Sequence, residues 1–517
     1  MDTKALRQKI LDLAIRGKLV PQDPNDEPAE VLLKRIREQK QQMLKEGKLK
    51  KKDIKNDTII FKGEDNLHYE KFQDGTVKCI EDEIPFEVPE GWCWCRLRDI
   101  CMMLAGKSKP ADQIKSEYFE GSYPCFGGNG IRGYVDEYNQ DGTFSIVGRQ
   151  GALCGNINVA TGKFYATEHA VVTTLFVGID FKWSNYILEA LRLNKYATGA
   201  AQPGLSVANI LNVFVPIPPT QEQDRIGNNI DKSLKIIEVI EQEKTDLQKN
   251  IITAKSKILD LAIRGKLVPQ APNGEPASVL LERIRAEKEK LILQGKIKRD
   301  KKESVIFKGD DNSYYEKVDN EVSCIDEEIL YDIPDTWTWM RLENCCAKEI
   351  RRGKSPKYIE KSNVLVFAQK CNTKNNGIDI SLAQYLDEDT LKRYPADEYM
   401  QNGDVVINST GTGTLGRVGL YMAYDDNKKL SIVPDSHVTV IRGGSCIHPF
   451  FLYAFMKAHQ SNLEKMGEGS TNQKELKPLT LRAMLIALPS LSEQKRISIA
   501  ISTAFEQLSV IESQLSV

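Results

Sequence analysis

Ile10 to Gln22 reads ILDLAIRGKLVPQ, and Ile258 to Gln270 reads ILDLAIRGKLVPQ again, letter for letter. The match runs on through PNDEPAEVLLKRIR (Pro24 to Arg37) and PNGEPASVLLERIR (Pro272 to Arg285). It then continues at lower identity. FKGEDNLHYEK (Phe61 to Lys71) returns as FKGDDNSYYEK (Phe307 to Lys317), and VPEGWCWCRL (Val88 to Leu97) returns as IPDTWTWMRL (Ile333 to Leu342). PPTQEQDRI (Pro218 to Ile226) returns as PSLSEQKRI (Pro489 to Ile497). Between the tryptophan and Glu-Gln motifs the halves diverge over roughly 120 to 145 residues, the size of one domain. Internal repetition of this kind fixes the architecture before any local reading. Near-identical frames with divergent inserts imply shared assembly and distinct recognition.

The repeat is also permuted. Glu493 to Val517 matches Glu222 to Asp246, and Leu6, Ile10 and Leu13 correspond to Ala254, Ile258 and Leu261. The tail and head of the chain together rebuild one further copy of the central segment. That segment places apolar residues at Ile226, Ile230, Leu234, Ile237, Ile240, Leu247, Ile251, Ala254, Ile258 and Leu261. Steps of three and four predict an amphipathic helix with a coiled-coil seam. Roughly forty residues at about 1.5 Å each give a rod of about 60 Å. Glu222 suits the positive end of this helix, and Gly265 before Pro269 suits a left-handed stop. The split copy supplies Ile497, Ile501, Phe505, Leu508 and Ile511, then Leu6, Ile10 and Leu13. Each apolar stripe needs a partner, and the other copy is at hand. The expected fold class is therefore α+β: two β-rich mixed domains joined by long antiparallel coiled-coil helices in a circular, pseudo-two-fold arrangement.

A second helix follows each rod, with Leu32, Leu33, Ile36, Met43 and Leu44 on one face and Leu280, Leu281, Ile284, Leu291 and Leu293 on its counterpart. Lysines crowd both ends: Lys45, Lys48, Lys50, Lys51 and Lys52, then Lys296, Lys298, Arg299, Lys301 and Lys302. Such a run reads as a solvated surface, with a phosphate-facing or partner-facing patch as the alternative. The 517 residues carry a net charge of −1, so no overall field drives the chain onto nucleic acid and any such contact must be local. No segment is long and apolar enough to span a membrane, and no signal peptide opens the chain, which implies a cytoplasmic protein.

Chemistry was sought and not found. The 11 cysteines contain no Cys-x-x-Cys pair, and Cys93 and Cys95 become Thr338 and Met340 in the second copy; reduced thiols, no disulfide framework and no metal are expected. Gly106-Lys107-Ser108 and Gly353-Lys354-Ser355 resemble the end of a phosphate-binding loop, but Cys101 and Lys348 stand where its first glycine must be. No nucleophile elbow or amino-methyltransferase motif is present. The chain is expected to be non-catalytic and to bind no cofactor.

The inserts instead carry strand patterns broken by polar, glycine-rich turns. Thr143–Val147, Asn156–Val159 and Ala170–Val177 read as strands in the first, and Asp404–Asn408, Val418–Ala423 and His437–Arg442 in the second. Each insert ends in a helix (Asn185–Leu193; Pro449–Ala458) and a turn carrying Gln202 or Gln473. Arg, Lys, Asn and Gln beside glycines suit phosphate and base-edge contacts. The candidate DNA-binding residues are Lys107, Asn129, Arg132, Arg149, Gln150 and Lys163 in the first insert. In the second they are Lys354, Lys357, Asn372, Lys374, Asn375, Asn408, Thr410 and Arg417.

Pro-x-x-Trp-x-Trp-x-x-Leu (Pro89 to Leu97, Pro334 to Leu342), the Gly-Lys-Ser step after it and the Pro-x-x-x-Glu-Gln-x-x-Ile exit (Pro218 to Ile226, Pro489 to Ile497) recur in that order in both halves. This arrangement resembles the DNA specificity subunit of a Type I restriction–modification system, over nearly the whole chain. The lysine-rich segments near 24–80 and 272–325 make the frame larger than a minimal version. The resemblance implies an N-terminal helical frame over 1–87, a first target recognition domain over 88–218, and a central helical spacer with its basic helix over 219–332. A second target recognition domain over 333–488 and a C-terminal spacer helix over 489–517 complete the chain. It implies that each target recognition domain reads one half of a bipartite duplex DNA site. It also implies docking to two modification subunits and to restriction subunits, with S-adenosylmethionine, ATP and Mg held by those partners. A stand-alone DNA-binding regulator would not need two long identical frames. A coiled-coil assembly protein would not need two divergent inserts.

Overall fold

The computed structural model describes residues 2–516 except 152, 200–202, 272–273, 296–303, 375–376, 412, 423–429 and 470–473. Asn375, Gln202, Gln473, Ala423 and the basic run Lys296, Lys298, Arg299, Lys301 and Lys302 lie outside the described residues. The protein is a mixed α/β chain of two compact units, Met1–Thr245 and Asp246–Val517. The division falls inside one helix of 44 residues, Thr220–Ile263.

In the first unit a head helix, Thr3–Ile15, begins at Asp2, whose carboxylate accepts from the Ala5 N–H at 3.0 Å. Its Ile10, Ala14 and Ile15 share one hydrophobic cluster with Ile226, Ile230 and Leu234 of the long helix. The second unit repeats this with the corresponding residues. Ile258, Ala262 and Ile263 cluster with Ile497, Ile501 and Phe505 of the tail helix, Leu491–Ser516. Ile237 is buried and Leu508 half-buried. Gly265 ends the long helix at φ +67°, and the Lys266 N–H reaches back to the Leu261 carbonyl at 2.8 Å. Gly17 does the same for the head helix at φ +66°.

Strands β1 (Ile59–Lys62), β2 (His68–Lys71) and β3 (Val77–Cys79) form an antiparallel sheet within the stretch read above as helical frame. The reason is the Asp65-Asn66 turn. Asn66 takes φ +63°, Gly63 closes the hairpin to Leu67, and the Asp65 carboxylate accepts from the Leu67 N–H. Asx-rich turns of this kind specify hairpins. Next come β4 (Cys93–Arg96), β5 (Cys101–Ala105), β6 (Tyr123–Gly127), β7 (Gly130–Val135), β8 (Gln140–Gly148), β9 (Ile157–Ala166), β10 (Ala170–Leu175) and β11 (Phe214–Ile217). The insert is a six-stranded sheet in the order β5-β10-β8-β9-β6-β7, in which only β6 and β9 run parallel. Strands β4 and β11 pair antiparallel at its neck. The helix expected at Asn185–Leu193 lies earlier, at Phe181–Ala190. Asp180 caps it by accepting from the Trp183 N–H, and Arg192 in the left-handed region (φ 49°) ends it.

The second unit holds the matching sheet β12 (Ser304–Lys308), β13 (Tyr314–Val318) and β14 (Glu321–Cys324), then β15 (Thr338–Arg341). Its insert comprises β16 (Arg351–Arg352), β17 (Tyr358–Ile359), β18 (Val364–Phe367), β19 (Gln384–Leu386), β20 (Val405–Asn408), β21 (Val418–Leu420), β22 (Ser431–Pro434) and β23 (Val438–Ile441). These make two four-stranded sheets, β16-β23-β20-β21 and β17-β19-β18-β22. The helix Pro449–Ala458 follows, and β24 (Leu485–Leu488) pairs with β15.

Three repeated motifs meet on one buried carboxylate in each unit. Glu222 accepts from the Trp92 indole Nε1 at 2.9 Å and from Gln22 Nε2 at 3.1 Å. Gln22 also donates to the Gly17 carbonyl at 2.7 Å, so the head-helix stop is tied in. Glu493 takes the same two partners in the second unit, Trp337 Nε1 at 3.1 Å and Gln270 Nε2 at 2.6 Å. The next residue serves the insert. Gln223 accepts from the Asp180 N–H at 2.8 Å, and Gln494 accepts from the His448 N–H at 2.8 Å, at the start of each insert's helix. Burial raises the Glu222 carboxyl above its ordinary range, against the pull of the Gln22 and Trp92 hydrogen bonds. A bidentate ion pair then fastens each small sheet to the neck, Arg96 to Glu70 and Arg341 to Glu316.

Glu222→Ala strands two buried donors, and a stranded group costs about 1–3 kcal/mol. Denaturant unfolding of the full chain should show a destabilisation of that size. A loss below about 0.5 kcal/mol, the scatter of ordinary surface changes, would remove Glu222 from this role.

One buried polar site differs between the copies. Lys40 Nζ donates to Asp57 at 2.9 Å and to the Arg98 carbonyl at 2.8 Å, and lies 4.0 Å from Asp99. Its counterpart Lys288 donates to Asn344 at 2.8 Å. Burial pushes the Asp99 carboxyl up to about 6, although Lys40 pulls it back. The folded chain thus holds this proton more tightly than the unfolded one, where an Asp titrates near ~4. The Asp99 contribution is full below that value and is lost as pH rises through about 6. Asp99→Asn, which copies Asn344, should flatten the stability curve across this window. Parallel curves for the two chains would contradict the assignment.

Candidate nucleic-acid interface

Both inserts build the same turn. In the first unit β8 leaves its sheet at Gly148. The Arg149 N–H donates to the His169 carbonyl at 3.1 Å, and the Arg149 carbonyl accepts from the Leu205 N–H at 2.8 Å. In the second, β20 leaves its sheet at Asn408. The Ser409 N–H donates to the His437 carbonyl at 2.8 Å, and the Ser409 carbonyl accepts from the Leu476 N–H at 2.8 Å. Gly155 and Gly416 close the two turns by donating to the Gly148 and Asn408 carbonyls. The sequences of the turns share little more than glycine, yet their backbones bond alike.

The Gly-Lys-Ser step packs behind this turn. Gly106 donates to the Ala170 carbonyl and Gly353 to the Val438 carbonyl, at 3.0 and 3.1 Å. A methyl added at Gly106 or Gly353 would overlap the carbonyl oxygen of Ala166 or Pro434. The glycines are therefore required by close backbone approach to the strand before each histidine, and the phosphate-loop resemblance has a packing origin. Lys107 and Lys354 follow, both exposed.

Around the first turn the structure gathers most of the candidates. Asn129 sits at the tip between β6 and β7 and accepts from Asn156 Nδ2 at 2.7 Å. That tip lies against β8, because a methyl on Gly148 would overlap the Gly128 carbonyl oxygen. Gln150 is exposed and bridges to Gly204. Arg132 is exposed on β7 just past the tip. Lys163 stands apart from these. It lies opposite Asp141, at the far end of β8 from Arg149, with its Nζ 4.6 Å from the Tyr138 ring centroid. Arg149 Nε, Asn158 Nδ2, Glu168 Oε2 and His169 Nδ1 are shielded and lack a protein partner. Each such group costs about 1–3 kcal/mol until something polar meets it, so the turn is primed for a polar ligand.

The second turn satisfies more of itself. Asn408 and Asn372 are both buried, with Asn372 Nδ2 donating to Asn408 Oδ1 at 3.2 Å and to the Arg417 carbonyl at 3.0 Å. Arg417 Nη1 donates to the Asn372 carbonyl at 2.8 Å, and its Nη2 donates to Gly413. Thr410 Oγ1 lies 2.8 Å from His437 Nδ1. Burial raises the neighbouring Asp435 carboxyl, and the His437 N–H it accepts pulls it back. Lys357 is exposed and pairs with Asp387 at 3.1 Å, while Lys374 is exposed on the loop after Asn372.

His169 and His437 are not among the residues that the sequence singled out. The structure gives them equivalent places, and the signal was available. Glu168-His169-Ala170-Val171 and Ser436-His437-Val438-Thr439 each place the histidine immediately before an apolar strand.

The family model for the Type I restriction modification DNA specificity domain matches residues 89–249 and 334–516, more than half of the chain. The EcoEI specificity subunit of Escherichia coli is 24% identical over 99% of this chain and 90% of its own length. The EcoAI specificity subunit of Escherichia coli is 29% identical over 66% of this chain and 62% of its own length. The EcoprrI specificity subunit of Escherichia coli is 41% identical, over 32% of this chain and 40% of its own length. Among solved structures, the HsdS subunit of Thermoanaerobacter tengcongensis aligns over 83% of this chain and 93% of its own, at 16% identity and a TM-score of 0.48. Two matched stretches that each run from the tryptophan motif into a long helix, each enclosing one of the two turns, place the chain in the Type I restriction–modification DNA specificity family.

Proposed function

We propose that the chain reads a bipartite duplex DNA site, one half with each insert, and carries no catalytic centre of its own. The observation that carries this reading is the pairing of sameness and difference. The Glu222 and Glu493 junctions take the same tryptophan and glutamine donors, while the polar side chains on the two turns differ. Identical frames suit two equivalent partners, and dissimilar turns suit two dissimilar half-sites.

The recognition domains on this reading span 88–218 and 333–488, between helical frames at 1–87, 219–332 and 489–517. The long helix packs against the head helix in the first unit and against the tail helix in the second. Its length sets the unread gap, as half-site spacing follows protein geometry. Each frame docks one modification subunit, and restriction subunits complete the assembly. S-adenosylmethionine, ATP and Mg belong to those partners, and adenine methylation in each half-site is their reaction. No helix among the described residues is long and apolar enough to cross a membrane, in keeping with a cytoplasmic setting. Lys107, Asn129, Arg132, Arg149 and Gln150 face one half-site, with Lys163 set apart at the far end of β8. Lys354, Lys357, Asn372, Lys374, Asn375, Asn408, Thr410 and Arg417 face or shape the other. Asn372 and Asn408, being buried, act by holding the second turn.

Genome-wide adenine methylation in the host, with and without the gene, tests the reading. A two-part motif with a fixed gap should lose methylation on both strands when the gene is deleted. No gene-dependent motif beside an active methyltransferase would sink it. Exchanging residues 98–215 for another family member's insert should change one half of the motif and leave the other. An unchanged motif would refute the assignment of one half-site to each insert.

A further inference from the structure

The two turns are an internal control, since one chain holds the same backbone twice against two different targets. Along a duplex the phosphates repeat and the base edges vary. A side chain that is free to contact DNA and is the same in both copies carries no information about which half-site it meets. A side chain that differs at an equivalent backbone position does.

Among the candidates, Lys107 and Lys354 are the same residue at the same place, each directly after the glycine packed on Ala166 or Pro434. Both are exposed, and neither side chain is held by another described residue. Packing explains the glycine before each lysine but gives no reason for the lysine. His169 and His437 are also the same residue on equivalent turns, but His169 Nε2 lies 3.3 Å from Glu168 and His437 Nδ1 2.8 Å from Thr410, so neither ring is free of a protein partner. By contrast, Gln150 stands where the second unit has Thr410, and Glu168 stands where it has Ser436. Gln150 and Thr410 are matched by their backbones, which bridge to Gly204 and Glu475 respectively. Glu168 cannot meet a phosphate without repulsion. Its acceptor oxygen suits an exocyclic amine on cytosine or adenine.

We infer that Lys107 and Lys354 form matched phosphate clamps that set register, and that Gln150, Glu168 and Thr410 read base edges. The inference rests on the DNA-reading role proposed above and separates its contacts into two kinds.

The test uses the full chain co-purified with its methyltransferase. The probes are two 40-base-pair duplexes, one carrying the motif found by methylation mapping and one scrambled. Lys107→Ala and Lys354→Ala should each weaken binding to both duplexes by the same several-fold factor. Each should also make the slope of log affinity against log salt shallower by about 0.9. Gln150→Thr, assayed by methylation mapping, should alter one half of the motif and leave the other. The assignment is overturned if either lysine variant changes the motif, weakens only the motif duplex or leaves the salt slope unaltered. It is equally overturned if Gln150→Thr keeps both half-sites. Should the unsubstituted chain direct no motif at all, the DNA-reading role itself fails, an outcome distinct from a normal motif with misassigned contacts.

Discussion

A buried carboxylate that must be fully hydrogen-bonded holds each half of this protein together. Glu222 and Glu493 open the long and tail helices from positions almost without solvent. A carboxylate shielded in this way is tolerable only with donors aimed at it. Those donors are a tryptophan at the mouth of the insert and a glutamine just past the preceding helix. Three stretches far apart in sequence are therefore fixed against one another by one group. The glutamine that follows each glutamate turns to the insert and anchors its helix. Adjacent side chains thus fix the frame on one side and the reader on the other.

This constraint separates what can vary from what cannot. The turn backbones are set by Gly148, Gly155 and Gly416 and by the packing of Gly106 and Gly353. The side chains they carry are free to differ, and do. In the first unit several polar atoms remain without partners, whereas in the second Asn372, Asn408 and Arg417 form a closed set. The two readers share a scaffold and differ in how much of their polar surface is already committed.

Much of this was legible in the sequence, because helices and repeats leave periodic traces. The stop at Gly265, the apolar stripe through Ile226 and Ile230, and the helix Pro449–Ala458 follow from local rules of spacing and capping. The sheets β1–β3 and β12–β14 were passed over because their strands are short and half-exposed, so alternation is weak. The Asp65-Asn66 and Asp74-Gly75 turns betray the first of them. The convergence of Trp92, Gln22 and Glu222 has no local signature, since it joins residues 200 positions apart. Recurrence marked the three motifs as important without saying that they touch. The histidines were missed for a related reason: their equivalence lies in backbone partners, which composition does not record.

The neck of each insert has a further consequence. The chain enters through β4 and leaves through β11, paired from Cys93 with Ile217 to Arg96 with Phe214. In the second unit β15 and β24 pair from Thr338 with Leu488 to Arg341 with Leu485. Paired strands lie about 4.8 Å apart, so the chain enters and leaves each insert one strand-spacing apart. A replacement domain therefore needs two closing strands in this pairing and a helix start placed to meet the glutamine of the frame.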